Sequence, residues 1–296
     1  MTTARGPAPA DGRPWPWLVP AVLFLAAFYA VPVVDVVRLA FSDATLIRAP
    51  ERWSTDALRA LMRDPALREV LVTTVVFTAV NVVALQAMGL LITLTLVRGE
   101  ARGLRGMTAF RTLVLAAWVV PGIANGLIWQ ILFDEAPYGT LNSLLGFAGL
   151  GPVAWLSDPD MALASAVIAN LWQGTAFSMI VFYAARRGID PTLYEVAAID
   201  GASPWRTFRS VTLPLLRTAI AVNTVLVAVQ TLNTFDAILA LTGGGPGRAT
   251  EVLSLFTFNT VFYNLDLAGG SVLALILFLL AMVMATLVFG WLGRER

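Results

Sequence analysis

Asp190-Pro-Thr-Leu-Tyr-Glu195-Val-Ala-Ala-Ile-Asp200-Gly201-Ala-Ser-Pro-Trp-Arg-Thr-Phe208-Arg-Ser-Val-Thr-Leu-Pro214 is a polar island between two long apolar runs. Asp190-Pro191 is a helix start, because proline suits the first turn, where an N–H would lack a partner anyway. Ala197 and Ala198 favour a helix interior. Gly201 fits a left-handed C-terminal cap. Ser203-Pro204 starts a second helix, and Pro214 opens the next apolar run. Residues 190–214 are therefore expected to form two short helices that meet at a tight glycine turn. Leu193, Val196, Ala197 and Phe208 give them a face to bury. On the residues alone, an ordinary structured loop and a docking element both remain open.

The flanking runs belong to a membrane protein. Hydrophobic residues make up 58% of the 296 and charged residues 13%, against roughly 25% charged in a soluble domain. A membrane helix needs roughly 20 mostly apolar residues. Six stretches qualify: Trp17–Val37, Val70–Val97, Thr112–Phe133, Met161–Ala185, Leu215–Leu241 and Leu267–Trp291. The expected fold is an all-α membrane protein of six transmembrane helices over residues 17–293. Residues 1–16 are rich in Pro, Ala and Gly and are expected to be a disordered tail. The segment Leu141–Trp155 is apolar but short and glycine-broken, and reads as an outer loop. In the first outer loop Ser54 can cap a short helix running through Met62, and Asp64-Pro65 launches the second span.

Composition removes several chemistries. There is no Cys and no His, so thiol catalysis, Cys-type metal sites and the commonest general base are excluded. All 20 basic residues are Arg, so a GxxxxGK[ST] phosphate loop cannot be completed. No metal site, no catalytic residue and no cofactor is expected, and the chain is not read as an enzyme. A net charge of +1 gives no sign of nucleic-acid binding.

Arg placement sets the direction. With the N-terminus inside, the inner segments hold Arg98, Arg102, Arg105 and Arg111, then Arg186, Arg187, Arg206, Arg209 and Arg217, and the two ends. The second outer loop holds none. The first outer loop dissents, with Arg48, Arg52, Arg59, Arg63 and Arg68. Both termini and the 190–214 loop are expected on the cytoplasmic side.

Each central span has one narrow polar or aromatic face at about 100° per residue. Span five places Asn223, Gln230 and Thr234 within about 40°, with Asn233 further round. Span four groups Asn170, Gln173, Gly174 and Phe177. Span three groups Trp118, Asn125 and Trp129, and span two Thr74, Thr78 and Asn81. Such residues either line a pathway or join helices. Amides, hydroxyls and aromatic faces suit a neutral polyol. No Arg lies deep in a span. Asp236 is the one acid well inside the outer half of a span.

Four runs carry a family resemblance. Glu195-Val-Ala-Ala-Ile-Asp-Gly-Ala, with Phe208 and Leu213-Pro214, resembles the EAA coupling loop of ABC importer permeases, in its carbohydrate form EAA-x-x-DG-A. Val196 replaces the first Ala. Pro121–Phe133, Trp172–Tyr183 and Leu241-Thr-Gly-Gly-Gly-Pro246 with Thr250-Glu251 are similar to the same family. The last run favours maltose- and glycerol-phosphate-type permeases. The resemblance covers roughly residues 17–291.

It implies a type I importer permease fold in a bacterial cell membrane. It also implies a docking role, with Glu195 pairing with a basic residue of an ATPase subunit and Gly201 permitting the turn. Ala198 and Asp200 would support the loop. It implies a sugar pathway on the helices flanking the loop, with Asn170, Gly174 and Phe177 at matching positions. The partners implied are a second permease in a heterodimer, two ATPase subunits or domains that use ATP and Mg, an extracytoplasmic binding protein, and the lipid bilayer. A permease for glycerol-3-phosphate or a glycerophosphodiester is the nearest alternative. An ion-coupled secondary transporter is the alternative from another class.

Overall fold

The computed structural model describes residues 15–293. Most of the tail expected at residues 1–16 lies outside them. Every regular element is a helix, and one isolated bridge joins Ser42 to Trp53. Five helices are long and apolar enough to cross a membrane: Trp17–Ala40, Pro65–Ala101, Pro159–Arg187, Pro204–Leu232 and Leu267–Gly290. The sixth span is broken. Met107–Val119 and Gly122–Leu132 meet at 105°. In chain order these are spans one to six, the broken one being span three.

Local chemistry explains the helix starts. Asp64 Oδ1 accepts the amide of Ala66 at 2.9 Å, with Pro65 in the first turn of span two. Asp158 caps span four in the same way, ahead of Pro159. The helix of the first outer loop runs Asp56–Arg63, and Ser54 Oγ accepts the Asp56 amide at 3.0 Å. Pro20 and Pro32 sit inside span one, and Pro214 inside span five. Pro32 and Pro214 each follow a widened π-helical turn, Ala26–Ala30 and Phe208–Thr212 respectively. A wider turn makes room for a ring that cannot donate to the helix ladder.

That device corrects one expectation. Pro214 does not open a new helix; the second loop helix begins at Pro204 and runs on into span five as Pro204–Leu232. Span five also ends earlier than its apolar run. Asn233 donates its side-chain amide to Val229 O at 2.7 Å, and Thr234 donates its hydroxyl to Gln230 O at 3.1 Å. Such bonds compete with the helix ladder, and a separate helix, Asp236–Leu241, follows. The outer segment expected as a loop holds the short helix Thr140–Phe147. The helix Leu253–Phe262, between spans five and six, falls in no expected element.

Spans two and four form the central pair. They approach so closely that a Cβ on Gly89 would lie 2.5 Å from Ser178 Cβ. Near one end of this pair, Phe77, Phe133 and Leu255 are fully buried with Ile238 and Leu241. Span one has broadly exposed side chains, and its second half, Val31–Ala40, packs against span six. The half-helix Gly122–Leu132 lies against Asp236–Leu241 through small residues. A Cβ on Gly126 would fall 2.4 Å from Ala237 O, and one on Gly122 would fall 2.0 Å from Asp236 Oδ2. Asp236 thus sits half-buried beside the start of a re-entrant half-helix.

Candidate substrate cavity and coupling loop

A cavity of about 140 Å³ lies where spans two, three, four and five converge. Asn170, Gln173 and Gly174 of span four face Gln230 and Thr234 of span five across it, and Trp118 lines it from span three. No charged side chain lines it. Of the nine residues expected to form a pathway, the structure brings these four together: Asn170, Gln173, Gly174 and Gln230. Phe177 stands beside them, its ring 6.1 Å from that of Trp118.

The remaining four are placed elsewhere. Asn223 is fully buried, and its amide donates to Gln86 Oε1 at 2.7 Å and Ser178 Oγ at 3.0 Å. It ties spans two, four and five together. Asn125 is also fully buried, donating to Ala169 O and Gln173 Oε1. Trp129 packs against Phe133 and Trp172. Asn233 faces an apolar groove with Phe258 and Phe278, apart from the cavity. The face drawn through Trp118, Asn125 and Trp129 assumed a straight helix. The bend after Val119 separates Trp118 from the other two.

Several cavity side chains are already held. Asn170 donates to Asn81 Oδ1 at 2.8 Å, which accounts for the polar face of span two. Thr74 accepts the Leu253 amide at 2.7 Å. Gln86, not singled out from sequence, donates to Ile220 O and Thr224 Oγ1 and accepts from Asn223. Its only sequence signal is a lone amide within an apolar run. Gln230 differs, because its side chain is exposed and bonds to none of the described residues. Among the described residues no group of three or more acids could hold a metal.

The coupling-loop residues lie at the far end of spans four and five. Asp190 Oδ1 accepts the Thr192 amide at 2.9 Å, and the first helix runs Thr192–Ile199. That backbone bond, with the Thr192 hydroxyl, holds the Asp190 carboxyl below its usual range. Gly201 has φ +70°, and the Ala202 amide reaches back to Ala197 O at 2.9 Å. Ser203 Oγ then accepts the Arg206 amide at 3.3 Å. Ala197 is buried under the turn. Glu195, Ala198 and Asp200 are exposed. Val196, Ile199 and Trp205 present an apolar surface, with Ile199 85% exposed.

The Thr-Gly-Gly-Gly-Pro run is a braced loop. Thr242 and Thr250 share a hydroxyl hydrogen bond of 2.7 Å, and Thr250 also donates to Gly245 O. Gly243 and Gly244 turn at φ +63° and +94°. Glu251 is buried, accepting from Asn259 and pairing with Arg248 at 3.1 Å.

Spans that enclose an uncharged polar cavity and carry an exposed helix–glycine–helix knob at one end suit a membrane permease. Residues 89–295 match the family described as binding-protein-dependent transport system inner membrane component, and the chain belongs to it. It is the permease subunit of a binding-protein-dependent ABC importer, a multi-pass inner-membrane protein that works with an ATPase and a binding protein. It is a transport subunit rather than an enzyme, and no cofactor is expected in it.

The chain is 34% identical to the trehalose/maltose transport system permease protein MalF of Thermococcus litoralis, over 94% of this chain and 92% of that one. It is 32% identical to the sn-glycerol-3-phosphate transport system permease protein UgpA of Brucella abortus, over 96% and 94%. A bacterial ABC transporter for the acidic polysaccharide alginate contains a chain of the same fold. There the TM-score is 0.80 at 20% identity, covering 96% of each chain.

Proposed function

We propose that this chain forms half of a transmembrane pathway for a neutral sugar or polyol, paired with a second, different permease and driven by two ATPase subunits or domains. The cavity between spans four and five carries the substrate reading. Its amides and hydroxyls can satisfy sugar hydroxyls, and Trp118 can cover C–H faces. An anionic substrate would call for a cation at that depth, and no Arg lines the cavity. This weighs against glycerol-3-phosphate, although a glycerol-3-phosphate permease is among the relatives.

The coupling loop faces the cytoplasm in this proposal, as do both termini. Glu195 pairs with a basic ATPase residue, while Gly201, Ala198 and Asp200 shape the knob. An ion-coupled mechanism would need buried titratable groups in the spans; among the described residues no acid within a span is buried, and Glu100 in span two and Asp236 beyond span five are half-buried.

The test is uptake by the reconstituted complex, comparing Gln230→Ala with Asn223→Ala. The Gln230 side chain bonds none of the described residues, so its loss should lower uptake several-fold at unchanged thermal stability. Asn223 joins three spans, so its loss should cost about 1–3 kcal/mol of stability. Normal uptake by Gln230→Ala at normal membrane levels would refute the pathway. Uptake that collapses with an ionophore and persists without ATP would favour the ion-coupled reading.

A further inference from the structure

A second, larger cavity of about 290 Å³ lies between the loop 190–214 and the ends of spans two and four. Two guanidinium groups line it, Arg98 from span two and Arg186 from span four, and no Asp or Glu does. The Arg186 guanidinium is stacked 3.8 Å from the centre of the Tyr194 ring, which fixes its direction. Neither Arg98 nor Arg186 pairs with a carboxylate among the described residues. Thr207 lines the same wall, and its hydroxyl makes no hydrogen bond with the described residues. Leu94 and Phe208 complete an apolar border.

Two like charges share one concave wall without an anion between them. Guanidinium forks match phosphate oxygens with paired hydrogen bonds, and a hydroxyl beside them adds a third donor. We propose that this cavity binds a phosphate group, carried by an anionic phospholipid headgroup or by a small soluble phosphate ester. The site lies on the inner side of the loop, where Tyr194 and Ala198 are one turn apart, while Val196 and Ile199 project away from it. Its consequence, though not its existence, rests on the coupling-loop reading. Bound phosphate would tie Tyr194 and Thr207 of the loop to the ends of spans two and four.

The assembled complex, in phosphatidylcholine nanodiscs, tests this in two arms. One adds phosphatidylglycerol and counts retained lipid by native mass spectrometry. The other adds glucose 6-phosphate and measures binding by calorimetry. Saturable binding of one ligand per copy is expected in one arm, and that arm names the source. Arg98→Gln should weaken binding about tenfold or more, in keeping with the loss of a charge-assisted contact. Arg102→Gln, at an exposed position outside the cavity, should leave it unchanged. Arg98 is exposed, so this variant should assemble even if Arg186→Gln does not. No saturable binding in either arm, or wild-type binding by both Arg98→Gln and Thr207→Val, would overturn the proposal. Because binding is the readout, it can fail while the coupling role of Glu195 stands.

Discussion

Gln173 donates its side-chain amide to the main-chain carbonyl of Val120, at the point where span three turns through 105°. Pro121 follows, and the next half-helix begins at Gly122. A carbonyl at such a break has lost its helical donor, and within a membrane no water replaces it. Gln173 supplies the donor and accepts from Asn125 at 3.1 Å. One side chain of span four therefore holds the bend and also lines the cavity. Gln173→Leu keeps the bulk and removes both bonds. Leaving buried polar groups unpaired costs about 1–3 kcal/mol, so a clear fall in thermal stability is expected. Wild-type melting of the purified variant would show that the bend holds without Gln173.

Gly126 tests the contact between the half-helix Gly122–Leu132 and the helix Asp236–Leu241. A side chain there meets Ala237 O at 2.4 Å, Ala240 Cβ at 2.7 Å and Leu241 N at 3.1 Å. Backbone cannot move aside as a flexible side chain can. Overpacking of this kind typically costs about 1–3 kcal/mol. Gly126→Leu should therefore reduce folded protein in the membrane. Gly146→Leu is the control, because nothing lies within 4 Å of a Cβ at that position. Equal losses from both variants would contradict the close packing.

Glu135 links the outer segment to the acid range. Its Oε1 accepts the amides of Leu156 and Ser157 at 2.7 and 2.6 Å, and Oε2 accepts the Ser157 hydroxyl at 2.7 Å. Burial alone would raise its pKa, but these bonds outweigh burial and hold the carboxyl below 4.5. A depressed carboxylate stabilises the fold above its unfolded pKa, and the contribution fades as pH falls through the folded value. The Leu156 and Ser157 amides should exchange hydrogen faster, relative to the intrinsic rate, as pH falls through the folded value. In Glu135→Ala the same amides should be loose at neutral pH, with little further change in acid. Tight protection of the variant at neutral pH would contradict the clamp.

Sequence made the ends of elements more legible than their interiors. Asp64, Asp190, Ser203 and Gly201 act within a few residues of themselves, so their roles follow from local chemistry. The loop 190–214 was readable for that reason. The breaks in spans three and five were not, since Pro121 and the Asn233-Thr234 pair sit in runs as apolar as any straight helix. Once the helix bends, angles counted along it lose their meaning, and Trp118 parts from Asn125 and Trp129. Burial of Asn223 depends on Gln86 and Ser178, which are far away in sequence. Gln230 and Asn223 share one helical face, and only the fold shows that one is free and the other bonded.

The coupling loop gives the sharpest test. Glu195 is exposed, and its side chain makes no hydrogen bond or ion pair with the described residues. Any large effect of Glu195→Ala must therefore come from a partner. An exposed ion pair is worth about 0–1 kcal/mol, whereas breaking one that is desolvated in a docking cleft costs about 2–5 kcal/mol. Gly201 acts differently. Its φ of +70° suits glycine, and nothing lies within 4 Å of a Cβ there. Strain, not collision, is then the cost of a side chain, about 1–2 kcal/mol. Asparagine tolerates the left-handed region and valine does not. Gly201→Val should uncouple ATP hydrolysis from uptake or release the ATPase, and Gly201→Asn should recover much of both. Glu195→Ala should do what Gly201→Val does, at unchanged permease stability. Both measurements need the permease pair, ATPase and binding protein reconstituted together. Wild-type coupling in Glu195→Ala and Gly201→Val would remove the docking role from residues 190–214.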